Sequence, residues 1–119
     1  PMCKKQQNII SKNVNGQLSY CKDCKVFDLT FNNILIELTP RELISFQNVI
    51  KNIDVDYWES HFNKKYVKRN IPIMTRQLNL ILVFSLAELY SLKELVLNDN
   101  EERNELISIS KIDYDLSVN

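Results

Sequence analysis

Two strand-to-helix junctions of the same design, about 46 residues apart, constrain this chain more than any other feature. In the first, Ile34-Leu35-Ile36-Glu37-Leu38 runs into Thr39-Pro40-Arg41-Glu42. That tetrapeptide offers an N-cap hydroxyl, a proline at the first helical position and a glutamate placed to close a capping box. In the second, Asn79-Leu80-Ile81-Leu82-Val83-Phe84 matches Asn33-Ile34-Leu35-Ile36-Glu37-Leu38, and Ser85-Leu86-Ala87-Glu88 repeats the capping box. The helices that follow carry apolar stripes in register, Leu43, Phe46, Val49 and Ile50 against Leu89, Leu92, Leu95 and Val96. Agreement at this many constrained positions reads as a duplicated unit, part of which the common physics of any strand-to-helix turn supplies. The expected architecture is α+β, with duplicated strand-strand-helix units over about 25–52 and 66–98. Their strands form a mainly antiparallel sheet, the two helices pack on one face of it, and an extra hairpin precedes them.

That hairpin is predicted from Asn8–Lys12 and Gln17–Cys21, joined at Asn13-Val14-Asn15-Gly16, where the Asn-Gly pair favours positive φ. Lys25–Phe31 alternates Phe27, Leu29 and Phe31 on one face with Asp28 and Thr30 on the other, as a half-buried strand does. Ile71-Pro72-Ile73 reads as the strand before the second junction, and Pro72 puts it at an edge. Between the units, Asp56-Tyr57-Trp58-Glu59 reads as a short turn capped by Asp56, with Trp58 and Phe62 anchoring it to the core. The domain is expected to span 1–97, and 98–119 to form an acidic, polar tail in which Ile107, Ile109 and Ile112 can pair with a sheet edge. At 119 residues the chain supports one core, not two.

Composition removes several function classes. A single glycine excludes the Gly-rich phosphate loops of P-loop and dinucleotide sites. One histidine excludes multi-His metal centres, and fifteen basic against fifteen acidic residues leave no overall pull toward nucleic acid or anionic membrane. Pro1 ahead of Met2 makes Met2 the expected natural start. No apolar leader follows, and the most apolar run, Leu78–Leu92, is broken by Ser85 and Glu88, so neither a signal peptide nor a membrane span is expected. The cytoplasm is the expected location, with Cys3, Cys21 and Cys24 reduced.

Tyr20-Cys21-Lys22-Asp23-Cys24-Lys25 is the sharpest local motif. Two thiolates at CxxC spacing can hold a tetrahedral zinc, and Cys3 and His61 bring the soft ligands to four; alternatively two subunits each give Cys21 and Cys24 to one shared ion. Zinc is the one cofactor these residues admit. Against it stand the missing second CxxC and the absence of a glycine after Cys24. A dithiol-disulfide role fits less well, because a strand and not a helix N-terminus follows the motif. Two ordinary reduced cysteines near a hairpin end is the simplest reading.

Charge is distributed unevenly. Ser60–Ala87 has no acidic residue, while Lys64, Lys65, Lys68, Arg69 and Arg76 accumulate around Tyr66. Basic groups with an interleaved aromatic can hold phosphates and stack a base. A solvated or self-neutralised face is the commoner outcome, so nucleic acid is a minor expectation. No catalytic set assembles: His61 is the only imidazole, it shares a helical face with Tyr57, and nothing in the sequence brings it to a cysteine. Asp54, Asp56 and Glu59 follow no metal-loop pattern. Within the repeat, outward Glu37 is replaced by Val83, with Ile81 two residues before it, so the second strand is apolar on both faces. Such a strand is usually central or covered, and a second copy of the chain is one possible cover. The leading expectation is a non-enzymatic interaction module that self-associates or binds a protein partner through Ile81 and Val83. No small-molecule substrate is implied.

The strings Tyr20-Cys21-x-x-Cys24, Leu29-Thr30-Phe31-Asn32-Asn33, Asp56-Tyr57-Trp58-Glu59 and Lys68-Arg69-x-Ile71-Pro72-Ile73 resemble a family of short uncharacterised bacterial proteins, over about Cys3 to Leu97. The resemblance implies a bacterial, cytoplasmic protein with a domain of unknown function, and it carries no activity, substrate or site residue.

Overall fold

A computed structural model describes residues 7–61 and 68–97. The chain opens with a four-stranded antiparallel meander, β1 (Asn8–Asn13), β2 (Gly16–Cys21), β3 (Val26–Phe31) and β4 (Ile34–Leu38), in spatial order β1-β2-β3-β4. Helix α1 (Pro40–Lys51) and a short helix α2 (Val55–His61) follow; a hairpin of β5 (Ile71–Met74) and β6 (Ile81–Phe84) leads into α3 (Leu86–Val96). The class is α+β, as expected, but β5 and β6 form their own two-stranded sheet and do not extend the first. Both strand-strand-helix successions exist; a structural duplication does not follow from them.

Sequence explains the element ends. Thr39 Oγ1 accepts from Glu42 N at 3.2 Å and Thr39 N donates to Glu42 Oε1 at 2.9 Å. Ser85 and Glu88 repeat the reciprocal pair at 3.1 and 2.9 Å. Both capping boxes therefore satisfy backbone donors that have no partner within the helix. α2 is capped two positions earlier than the sequence suggests, by Asp54 Oδ1 accepting from Tyr57 N at 3.0 Å, which leaves Asp56 in the first turn.

The first hairpin also differs in detail. Its turn residues are Val14 and Asn15, Gly16 already belongs to β2, and neither Asn15 nor Gly16 has a positive φ. Asn13 Oδ1 closes the turn instead, accepting from Asn15 N at 2.9 Å and Gly16 N at 3.2 Å. Positive φ occurs at Lys25, φ 57°, in the turn after Cys21, and at Asn32, φ 52°, between β3 and β4. In the second hairpin, Thr75 holds a longer connection. Its hydroxyl donates to Leu80 O at 2.6 Å and accepts from Gln77 N at 3.2 Å, so β6 begins at Ile81, not Asn79.

The core is one cluster. Leu18, Tyr20, Phe27, Leu29, Phe31 and Leu38 project from one face of the meander onto Leu43 and Ile50 of α1 and Leu89, Leu92, Leu95 and Val96 of α3, and Ile71, Ile73 and Phe84 close it from the hairpin. Trp58 of α2 packs against it, half-buried. Phe31 and Phe84 meet edge-on with centroids 5.5 Å apart and so join the two sheets. The two helices are not equivalent. α3 lies against β1, β2, β6 and α1 and buries its whole stripe, whereas α1 is peripheral and leaves Val49 of its stripe exposed.

Expected exposure fails at Asp28. It lies on the outer face of β3 yet is buried, with Oδ2 accepting from Gln7 Nε2 and Oδ1 without a partner. Gln7 also accepts from Ser19 Oγ at 2.6 Å, so a small polar cluster covers that part of the sheet. Among the described residues no helix is long and apolar enough to cross a membrane.

Candidate functional site

The β5–β6 hairpin has two faces of different fate. In the register Ile71↔Phe84, Pro72↔Val83, Ile73↔Leu82 and Met74↔Ile81, the first and third pairs turn toward the core. Pro72, Val83, Met74 and Ile81 turn outward, where Met74 is 63 %, Ile81 47 % and Val83 45 % exposed. Leu80 and Leu78 beside them are exposed as well. Ile81 and Val83, singled out from sequence, thus stand together on a solvent-facing apolar surface. Among the described residues β6 is not a central strand and pairs only with β5. Monomeric domains seldom leave several large apolar side chains contiguous in water.

Beside this face a groove of about 550 Å³ runs between the β3–β4 turn and the β6–α3 junction, lined by Asn32, Asn33, Val83, Phe84, Arg69 and Glu88 among others. Arg69 grips Glu88 as a fork, Nε to Oε1 at 2.9 Å and Nη2 to Oε2 at 2.8 Å. Ser85 N donates to the same Oε1 at 2.9 Å. The Arg69 hydrogen bonds, aided by the Ser85 backbone and the Arg69 charge and opposed by partial burial, hold the Glu88 carboxyl down at about 2, from an ordinary value of 4.5. The guanidinium of Arg69 is correspondingly raised, first by its hydrogen bond to Glu88.

A carboxylate depressed in the folded state contributes stability above its unfolded value, and that contribution disappears as pH falls through the folded value. Thermal stability should therefore decline between about pH 4.5 and pH 2. Glu88→Gln keeps an amide able to close the capping box but loses the ion pair. Its stability should accordingly depend less on pH across that window. Melting curves of both proteins at pH 5 and pH 2.5 test this, and identical pH dependence would remove Glu88 as a contributor.

The basic stretch is partly neutralised. Arg69 pairs with Glu88, Arg76 pairs with Glu42 of α1, and Lys68 is exposed. Lys64, Lys65 and Tyr66 lie outside the described residues, as do Phe62 and the segment 98–119. The structure supplies Glu88 for Arg69 because Asn70 and Ser85 lie beside the paired strand ends, which brings the preceding and following residues together.

The cysteine motif sits at the far end of β2. Cys21 is a buried free thiol, and its Sγ accepts from Cys24 N at 3.3 Å. Cys24 is exposed. Since Cys21 is free, the two do not form a CxxC disulfide with one another. Cys3 lies outside the described residues. His61 ends α2, stacked on Tyr57 with centroids 4.3 Å apart and its Nε2 3.3 Å from the Tyr57 hydroxyl, so the predicted shared face is real. Among the described residues no group of three His, Cys, Asp or Glu side chains is arranged to hold a metal.

One polar constellation had no sequence signal. Asn13 Nδ2 donates to Ser91 O and Ser91 Oγ, both at 3.0 Å, and to Glu94 Oε1 at 2.9 Å, while Asn15 Nδ2 donates to Ser91 Oγ at 2.6 Å. Ser11 Oγ donates to the Leu95 carbonyl. These contacts dock the first hairpin on α3.

Fold and surface together define a small α+β domain with an antiparallel meander, two box-capped helices and a projecting hairpin whose outer face is apolar. The chain belongs to the family described as "Family of unknown function (DUF6686)", which it matches over residues 2–119. No curated protein and no solved structure is significantly similar to it.

Proposed function

We propose that this protein is a non-enzymatic interaction module that engages protein through the outer face of the β5–β6 hairpin. The observation that carries this reading is the contiguous exposure of Met74, Ile81 and Val83, flanked by Leu80. Keeping such side chains in water forgoes roughly 25 cal/mol for each Å² of apolar surface left uncovered, which a partner recovers. The core does not depend on them, since Ile71, Ile73 and Phe84 supply the hairpin's inward contacts. The Arg69–Glu88 fork supports the same reading by fixing the hairpin base to the start of α3.

A photo-crosslinking residue at position 81, in the cells that make the protein, tests this. A discrete adduct is expected, abolished by Val83→Lys and absent when the crosslinker stands at the exposed Ser45 of α1. Exposed substitutions of this kind should change stability by no more than about 0.5 kcal/mol. Absence of any adduct specific to position 81 would overturn the assignment.

A further inference from the structure

Resting on that reading, we infer that the hairpin's partner is a second copy of this chain, joined edge to edge through β6. The two sheets have four edge strands, and proteins that stay monomeric disable such edges with charge, proline, bulges or covering elements. β1 carries Lys12, has an irregular register between Ile9 and Ser11, and is overlaid by α3. β4 carries Glu37, exposed on its outer face. β5 carries Pro72 and is flanked by α2. β6 carries no charge, proline or bulge, and among the described residues α3 lies against it without pairing with its open edge. Its Ile81-Leu82-Val83-Phe84 lies inside an uncharged run from Gln77 to Ala87.

The register identifies the backbone groups that are open. Pro72 has no N–H and pairs with Val83, so that pair occupies a non-hydrogen-bonded position in the antiparallel ladder. The bonded positions are then Ile71↔Phe84 and Ile73↔Leu82. It follows that the N–H and C=O of Ile81 and Val83 point away from β5, toward the open edge. A two-fold axis through Leu82 sets Ile81 of each copy opposite Val83 of the other, and both pairs are then hydrogen-bonded. The same operation lays the outward Ile81 and Val83 side chains of the two copies against one another, merging two small apolar faces into one. Equal numbers of basic and acidic residues, fifteen of each, put no net repulsion between the copies.

The test combines sedimentation equilibrium of the full chain, from the order of 1 μM to 1 mM, with residue-resolved amide exchange. The expected mass at high concentration is twice the chain's 14.0 kDa. The amides of Ile81 and Val83 should exchange at least ten-fold more slowly there than after dilution. Val83→Pro, which deletes an outward N–H but keeps an apolar side chain and every β5 bond, should return the mass to one chain. A single-chain mass throughout, with fast exchange at Ile81 and Val83, overturns the inference. The adduct at position 81 then reads the broader interaction assignment separately. A doubled mass with fast exchange at those amides also overturns it, because association then uses another surface. Slow exchange at single-chain mass, lost on deletion of 98–119, overturns it in favour of the chain's own C-terminal segment.

Discussion

Gly16→Ala is expected to lower the free energy of unfolding by about 3 kcal/mol, a large part of what a domain of this size possesses. The reason is space and not backbone freedom. Gly16 has no positive φ, yet a β-carbon placed on it would overlap the Thr30 carbonyl oxygen and stand 2.8 Å from the Thr30 carbonyl carbon. A side chain at that point could rotate away; a backbone carbonyl in the second of three consecutive antiparallel pairings cannot move without shifting the register of β2 against both neighbours. Any shift would misplace Leu18 and Tyr20, which lie on the core face of the same strand. Urea unfolding reads the effect directly. A loss below about 0.5 kcal/mol, the range of ordinary surface changes, would mean that the strand yields locally and that Gly16 is not required by space.

Phe84→Ala carries the second large effect, about 4 kcal/mol by the usual cost of deleting a buried aromatic side chain. Its ring is the edge-on partner of Phe31 and the inward anchor at the C-terminal end of β6. Two strands of four residues are marginal without packing. The loss should therefore be local before it is global. The amides of Ile73 and Leu82 are expected to lose protection against hydrogen exchange earlier than those of β2 and β3. Phe84→Leu, which refills most of the volume, should recover more than half of the lost stability. Equal loss of protection across both sheets would show instead that the hairpin and the meander unfold as one unit.

Much of this fold can be read from single residues. Thr39 with Glu42 and Ser85 with Glu88 announce their helices because a capping box is a local device whose partners lie three residues apart. Phe27, Leu29 and Phe31 announce β3 because alternation has only one structural meaning at that length. The outward placement of Ile81 and Val83 follows from the same period-two argument.

What the sequence hides is non-local. Val49 and Leu95 occupy matching positions in their stripes, and only the central place of α3 buries one while the peripheral place of α1 exposes the other. Asp28 alternates outward as predicted, but Gln7 comes from 21 residues away to cover it. The division into two sheets depends on where the chain returns after α2, which no periodicity records. The turn after β1 departs from the Asn-Gly pattern because Asn13, not the Asn15-Gly16 pair, supplies the side-chain acceptor that closes it. Of the candidate site residues, Ile81 and Val83 come together, Arg69 is engaged by Glu88, and Cys21 and His61 stand on separate elements.

The hydrogen bonds from Ser11, Asn13 and Asn15 to Ser91, Glu94 and Leu95 bridge sequence separations of 76 to 84 residues. They set the order in which the molecule can be completed. The first hairpin leaves the ribosome early, and the helix on which it docks is made only after everything between them. Loop-closure entropy must be overcome before so distant a contact contributes, which slows the final folding step relative to assembly of the meander. During synthesis the inner face of β1 and β2 therefore stays uncovered until Leu92 and Leu95 arrive, and the native state becomes accessible only once α3 has been translated.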